Sequence, residues 1–155
     1  MPGRGAHRAI GSLSGGFVGA LACHELPQQA RIVYCLSAAL GGFAFGTFPD
    51  VLEPATHPNH RDVCHSFAAG LGLLLASGSG ERNIGADMRN EAARLRAERL
   101  GLASDDPRRP TLAFREYAIY FLLGLATGAV TGYLSHIAAD MTTPREVPLV
   151  SRKLL

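Results

Sequence analysis

His136 and Asp140 stand four residues apart inside the stretch GLATGAVTGYLSHIAADMTTP, residues 124–144. On a helix that spacing puts both side chains on one face, side by side. Asp50 and Glu53 are three apart and do the same if the helix before them continues past Pro49. His7, His60 and His65 supply further imidazoles. Imidazole nitrogens and carboxylate oxygens are the donors that a zinc-like divalent ion takes. Such an ion lowers the pKa of water from its bulk value of about 15.7 towards about 7. A carboxylate not fully engaged with metal, Asp50 or Glu53, can then accept the proton. Arg61 can hold an anionic group such as a phosphate through paired hydrogen bonds. Ser66 and Ser135 read as supports for the ligands, since no Ser-His-Asp order is evident.

This chemistry requires elements that bring the residues to one place. Apolar segments lie at about 9–23, 30–48, 63–77 and 117–139. Each exceeds ordinary strand length and lacks strict alternation, which predicts helices. The second and fourth approach the ~20 residues that span a bilayer core, and the other two are short for it. HELPQQ separates the first pair, and the proline-rich FPDVLEPATHPNHRD separates the second from the third. If the segments run up, down, up, down, then His7, Asp50, Glu53, His60, His65, His136 and Asp140 all fall at the same end.

Ladders of small residues at spacing four lead to several of these polar groups. They are His7, Gly11, Gly15, Gly19; Ala38, Gly42, Gly46, Asp50; and Gly124, Gly128, Gly132, His136, Asp140. Glycine inside a helix costs about 1 kcal/mol relative to Ala. Its repetition on one face predicts that helix backbones approach closely there. Packing accounts for the glycines but not for the polar end of each ladder. His24 and His57 read as solvated loop residues, and Cys64 as an inert packing residue.

At 155 residues the chain reads as a single helical domain over 1–155. Apolar residues make up 47%, charged residues only 18%, and Gly reaches 18 residues with no Trp. The net charge of +2 is too small to argue for direct nucleic-acid binding. Cys23, Cys35 and Cys64 lack CxxC spacing, which argues against a disulfide framework and for a reducing compartment. The basic start followed by an apolar stretch has the outline of a signal peptide, but His7 and the glycine ladder give it a structural reading. Residues 81–109 form a charged insertion. Within it ERNIGADMRNEAARLRAERLG favours a helix ending at Gly101, a C′ residue, with only Met88, Ala92 and Leu95 as a thin apolar stripe, so this helix is expected in water or along a surface. The expected fold is therefore all-α: a four-helix membrane-associated bundle with an extra charged amphipathic helix between helices three and four.

GTFPDVLEP, HRDVCHS and GYLSHIAADMTTPREVPL resemble the motifs of the YdjM family of membrane-bound metal-dependent hydrolases. The family pattern maps onto His7; Gly46, Pro49 and Asp50; His60, Arg61, His65 and Ser66; and Gly132, Tyr133, Ser135, His136, Asp140, Thr143 and Pro144. The last motif is also similar to an H-x-x-x-D-x-T-x-P signature of the zinc-dependent phospholipase C and single-strand nuclease superfamily, at His136, Asp140, Thr142 and Pro144. That superfamily carries another histidine soon after the proline, where this chain has Arg145, Glu146 and Val147. The resemblance thus implies one or two ions, most readily zinc, rather than three. It implies ligands among His7, Asp50, His60, His65, His136 and Asp140, with Ser66, Ser135 and Thr143 supporting them.

The function expected from these readings is a metal-dependent hydrolase of a phosphoester, in the inner membrane of a bacterium, with membrane lipids around it and a lipid as one form of substrate. The alternative is a non-enzymatic membrane protein with a structural metal site. It would dock a regulatory partner, by resemblance a LexA-type repressor, on the helix at 81–101. A transporter fits less well, because two short segments leave little room for alternating access.

Overall fold

The computed structural model describes residues 3–52, Ser66 and 84–141. Among the described residues every regular element is a helix: α1 (Arg4–Ala22), α2 (Gln28–Phe45), α3 (Phe48–Leu52), α4 (Ile84–Gly101) and α5 (Arg109–Met141). The all-α class expected from the sequence is the one observed. The third apolar segment, 63–77, lies outside the described residues except for Ser66, which is buried.

Helix boundaries follow the prolines. Pro27 precedes α2 in an extended conformation, with φ −56° and ψ 148°, and its carbonyl accepts from the Arg31 N–H at 2.9 Å. Pro49 has no N–H, and its ring conflicts with the carbonyl four residues back, so α2 cannot run through it. The helix ends at Phe45, and α3 restarts as a short turn that holds Pro49 and Asp50. The condition under which Asp50 and Glu53 would share the face of one helix, a second helix running on past Pro49, is therefore not met. Asp50 stands on a separate element, and Glu53 lies outside the described residues. Pro110 falls in the first turn of α5, where a missing N–H is harmless. This lets α5 begin eight residues before the apolar segment and extend to 33 residues.

α2 is the central helix, packed between α1 and α5 through the small-residue ladders. A Cβ added at Gly11 would overlap the Gly42 carbonyl, and one at Gly15 the Ala38 carbonyl. From the other side, a Cβ at Gly128 would overlap the Ala38 carbonyl, and one at Gly132 would come within 2.6 Å of the Gly42 oxygen. Ala38 and Gly42 are therefore shared by both neighbours. The large apolar residues point the other way. Leu13, Phe17 and Leu21 on α1, and Ile32, Leu36 and Leu40 on α2, are all more than half exposed. Small residues inside and large apolar residues outside is the pattern of helices that pack in lipid, where there is no hydrophobic force to bury the large ones. Two helical stretches, Gln28–Leu52 and Arg109–Met141, are long and apolar enough to cross a membrane.

The charged helix α4 lies along α5 and is not isolated in water. Its thin stripe is sufficient: Ala92 and Leu95 are fully buried, and Met88 packs against a cluster of Cys23, Ala30, Tyr34, Ala92, Tyr120 and Leu123. An ion pair adds to it, with Arg99 Nη2 2.8 Å from Glu116 Oε2, the carboxylate being 1% exposed. Gly101 belongs to the helix, and no described glycine has a positive φ, so the expected left-handed C′ glycine is not formed.

Candidate metal centre

At the end of the molecule away from α4, three helices deliver polar side chains to one point. α1 brings His7 from its first turns, α3 brings Asp50, and α5 brings His136 and Asp140 from its last two turns. His7, His136 and Asp140 are 3%, 1% and 1% exposed. Their candidate donor atoms all lie within 4.8 Å of one another.

Asp140 uses both oxygens: Oδ1 is 3.5 Å from His7 Nε2, and Oδ2 is 3.5 Å from His136 Nε2. Asp50 Oδ1 approaches the same His136 Nε2 at 3.6 Å, with the Asp50 side chain 27% exposed. The His7 and His136 rings stack, with centroids 4.0 Å apart and planes at 29°. These spacings exceed the 2.7–3.2 Å or so of N–H···O hydrogen bonds. They match the edges of a tetrahedral centre, which are about 3.3–3.6 Å when ligand bonds are 2.0–2.2 Å. The donor set of two imidazoles and a carboxylate is likewise one that divalent ions take. The buried group His7, His136 and Asp140 can hold a metal ion.

The backbone fixes which His136 nitrogen faces the centre. His136 Nδ1 lies 2.8 Å from the Gly46 carbonyl oxygen. A carbonyl only accepts, so Nδ1 carries a proton, and Nε2 is the ring nitrogen that faces the acidic groups. This is the carbonyl-oriented imidazole typical of metal ligands. The acceptor is available because the last carbonyls of a helix lack intrahelical partners, and Gly46 caps α2. Gly46 also has to be glycine by contact. A Cβ there would sit 2.7 Å from the His7 carbonyl oxygen and 2.8 Å from that of Gly42.

The residues expected at the site divide in three. His7, Asp50, His136 and Asp140 are brought together. Ser135 stays with its own helix, its hydroxyl donating to the Gly132 carbonyl at 2.9 Å, and Ser66 is buried. Glu53, His60, Arg61, His65 and Thr143 lie outside the described residues. Among the residues expected in solvent, His24 is exposed, with its Nδ1 2.9 Å from the Leu21 carbonyl oxygen. Spacing alone did not identify the Gly46 carbonyl as the His136 partner. The usable signal was a glycine placed just before the break at Pro49.

No family model, curated protein or solved structure matches the chain.

Proposed function

We propose that the chain is a membrane-embedded, metal-dependent hydrolase acting on a phosphoester, with zinc as the ion. The observation that carries this reading is the convergence of His7, Asp50, His136 and Asp140 at ligand spacing, inside helices whose outer faces are apolar. With both imidazoles neutral, the two carboxylates leave the cluster negative, a charge that a divalent cation offsets in a buried setting. His7, His136 and Asp140 hold the ion. Asp50 is the member that solvent reaches, so it is the group that exchanges a proton with water at Oδ1. The chemistry such an ion supplies when bound is the acidification of water and the polarisation of a phosphoryl oxygen. His136 is kept in the ligating tautomer by Gly46, and Asp140 is shared between the two imidazoles, so neither ring is free to turn away. Arg61 and Glu53 complete the proposal as the anion-binding and second acidic groups. The family resemblance of the motifs supports the hydrolase class, and the large apolar residues on the outer faces of α1 and α2 support a lipid setting.

The test is metal analysis and activity on the same detergent-purified sample. Stoichiometric metal, and a phosphoesterase activity abolished by chelator and by His136→Ala, are expected. Protein free of metal, with stability and activity unmoved by chelator, would overturn the reading.

A second reading keeps the ion as a structural element and assigns the function to a regulatory partner, such as a LexA-type repressor, docked on α4. It is favoured by one observation: α4 is anchored by the Arg99–Glu116 pair while Arg89, Arg94 and Glu98 remain on its exposed face. Loss of function on deleting 84–101, but not on His136→Ala, would select it.

A further inference from the structure

Cys23 and Cys35 take no part in the metal centre. Cys23 follows the last residue of α1, and Cys35 sits on α2, twelve positions later in the chain. Their sulfurs nevertheless lie 3.4 Å apart, and both residues are free thiols. Cys23 is 1% exposed, and Cys35 is half-buried. Cys35 stands eleven residues before Gly46, about 16 Å along the helix at 1.5 Å per residue.

We infer that Cys23 and Cys35 are a dithiol site that closes reversibly to an intramolecular disulfide joining α1 to α2. A disulfide needs its sulfurs at about 2.05 Å, so about 1.4 Å of approach completes the bond. Cys23 caps α1 with φ −113° and ψ 12°, its N–H bonded to the Gly19 carbonyl at 3.1 Å, so the approach is made by the side chains. The Gly19 contact with Ala38 already brings the two backbones together beside the pair.

The co-reactant is a small disulfide of the glutathione type. Cys35, the more exposed of the two thiols and one turn from Arg31, attacks one sulfur of that disulfide as its thiolate. A mixed disulfide forms and one small thiolate leaves. Cys23 then gives up its proton and attacks the Cys35 sulfur, and the second small thiolate leaves. Overall two protein thiols are oxidised, one small disulfide is reduced to two small thiols, and the protons are conserved. The product fixes α1 against α2, and α1 carries His7 at its other end. This inference does not depend on the metal reading.

The experiment treats the native full-length protein, with Cys64→Ser removing the third thiol, with oxidised glutathione. The protein is then unfolded, alkylated and digested. A cross-linked peptide containing Cys23 and Cys35, monomeric protein on a non-reducing gel, and a melting temperature several degrees above that of the reduced form are expected. Cys23→Ser should yield a single glutathione adduct on Cys35, Cys35→Ser should leave the buried Cys23 unmodified, and neither should show a cross-link. The cross-link in the parent protein is informative even if a variant fails to fold. Separate adducts on both cysteines, intermolecular dimers, or two freely alkylated thiols after treatment would each overturn the inference.

Discussion

His136 donates its Nδ1 proton to the carbonyl of Gly46 across 2.8 Å, and the backbone of His7 lies against that same glycine. One residue without a side chain thus sets the orientation of one proposed ligand and the position of another. Gly46→Ala places a methyl group 2.7 Å from the His7 carbonyl oxygen and 2.8 Å from that of Gly42. Contacts that close involve backbone on both sides, so α1 must move. Loss of an imidazole's orienting partner costs roughly 10–100-fold in metal affinity. The expected outcome for Gly46→Ala is a loss of that order, measured by competition against a chelator of known affinity. Unchanged affinity would mean that the close approach of residue 46 to the His7 backbone does not position the centre.

Chelation should separate the site from the rest of the fold. An ion that binds only the folded state adds about 4 kcal/mol of stability when present at about 1,000 times its Kd. Removing it from the parent protein is expected to lower the unfolding midpoint by a matching amount. In Asp140→Asn, which keeps the shape but removes the charge shared by His7 and His136, chelator should have little further effect. An equal chelator-induced shift in parent and variant would place the metal elsewhere.

Glycine-to-alanine changes should reverse sign according to place. In a helix interior the change ordinarily stabilises by up to about 1 kcal/mol. At Gly101 nothing lies within 4 Å of the added Cβ, so Gly101→Ala should stabilise by up to that amount. At Gly128 the methyl group meets the Ala38 carbonyl and the Gly42 nitrogen, backbone atoms that cannot turn aside. Gly128→Ala should therefore destabilise, by about 1–3 kcal/mol as overpacked cores do. Denaturant midpoints of the two variants, in the same detergent, decide it.

The same glycines show how far the sequence could be read. Spacing-four ladders identified which faces of α1, α2 and α5 meet, because only a residue lacking a side chain permits backbone contact and because that requirement is periodic. The convergence of His7, Asp50, His136 and Asp140 followed from helix direction alone, since antiparallel packing decides which ends are neighbours. Asp50, expected just after the end of the second segment, reaches His136 from the separate α3. The Gly46 carbonyl was illegible because backbone acceptors carry no residue-type signal. The three small or medium apolar residues of the α4 stripe, Met88, Ala92 and Leu95, lay it along a surface, as expected. Their sufficiency depends on Tyr120 and Leu123 of α5, which are distant in the chain but close in space.

The ion pairs of α4 should differ sharply in value. Arg94 bonds Glu91 at 2.7 Å and Glu98 at 3.4 Å in full contact with solvent. Its hydrogen bonds hold the Glu91 carboxyl below its usual pKa. A lowered folded-state value means that any contribution is present at neutral pH and fades as the pH falls through that value. Screening by water keeps it small, so Arg94→Ala should leave the unfolding midpoint nearly unchanged. Glu116 is 1% exposed and bonded by both Arg99 Nε, at 3.1 Å, and Arg99 Nη2, at 2.8 Å. Arg99→Ala strands that carboxylate in a buried setting, a change that typically costs about 3–5 kcal/mol. Replacing both partners with apolar residues should recover much of the loss, because the desolvation of two charges is removed together. A double-mutant cycle on Arg99 and Glu116, read from denaturant midpoints, tests this. A small Arg99→Ala effect would mean that the apolar stripe of Ala92 and Leu95 holds α4 in place unaided.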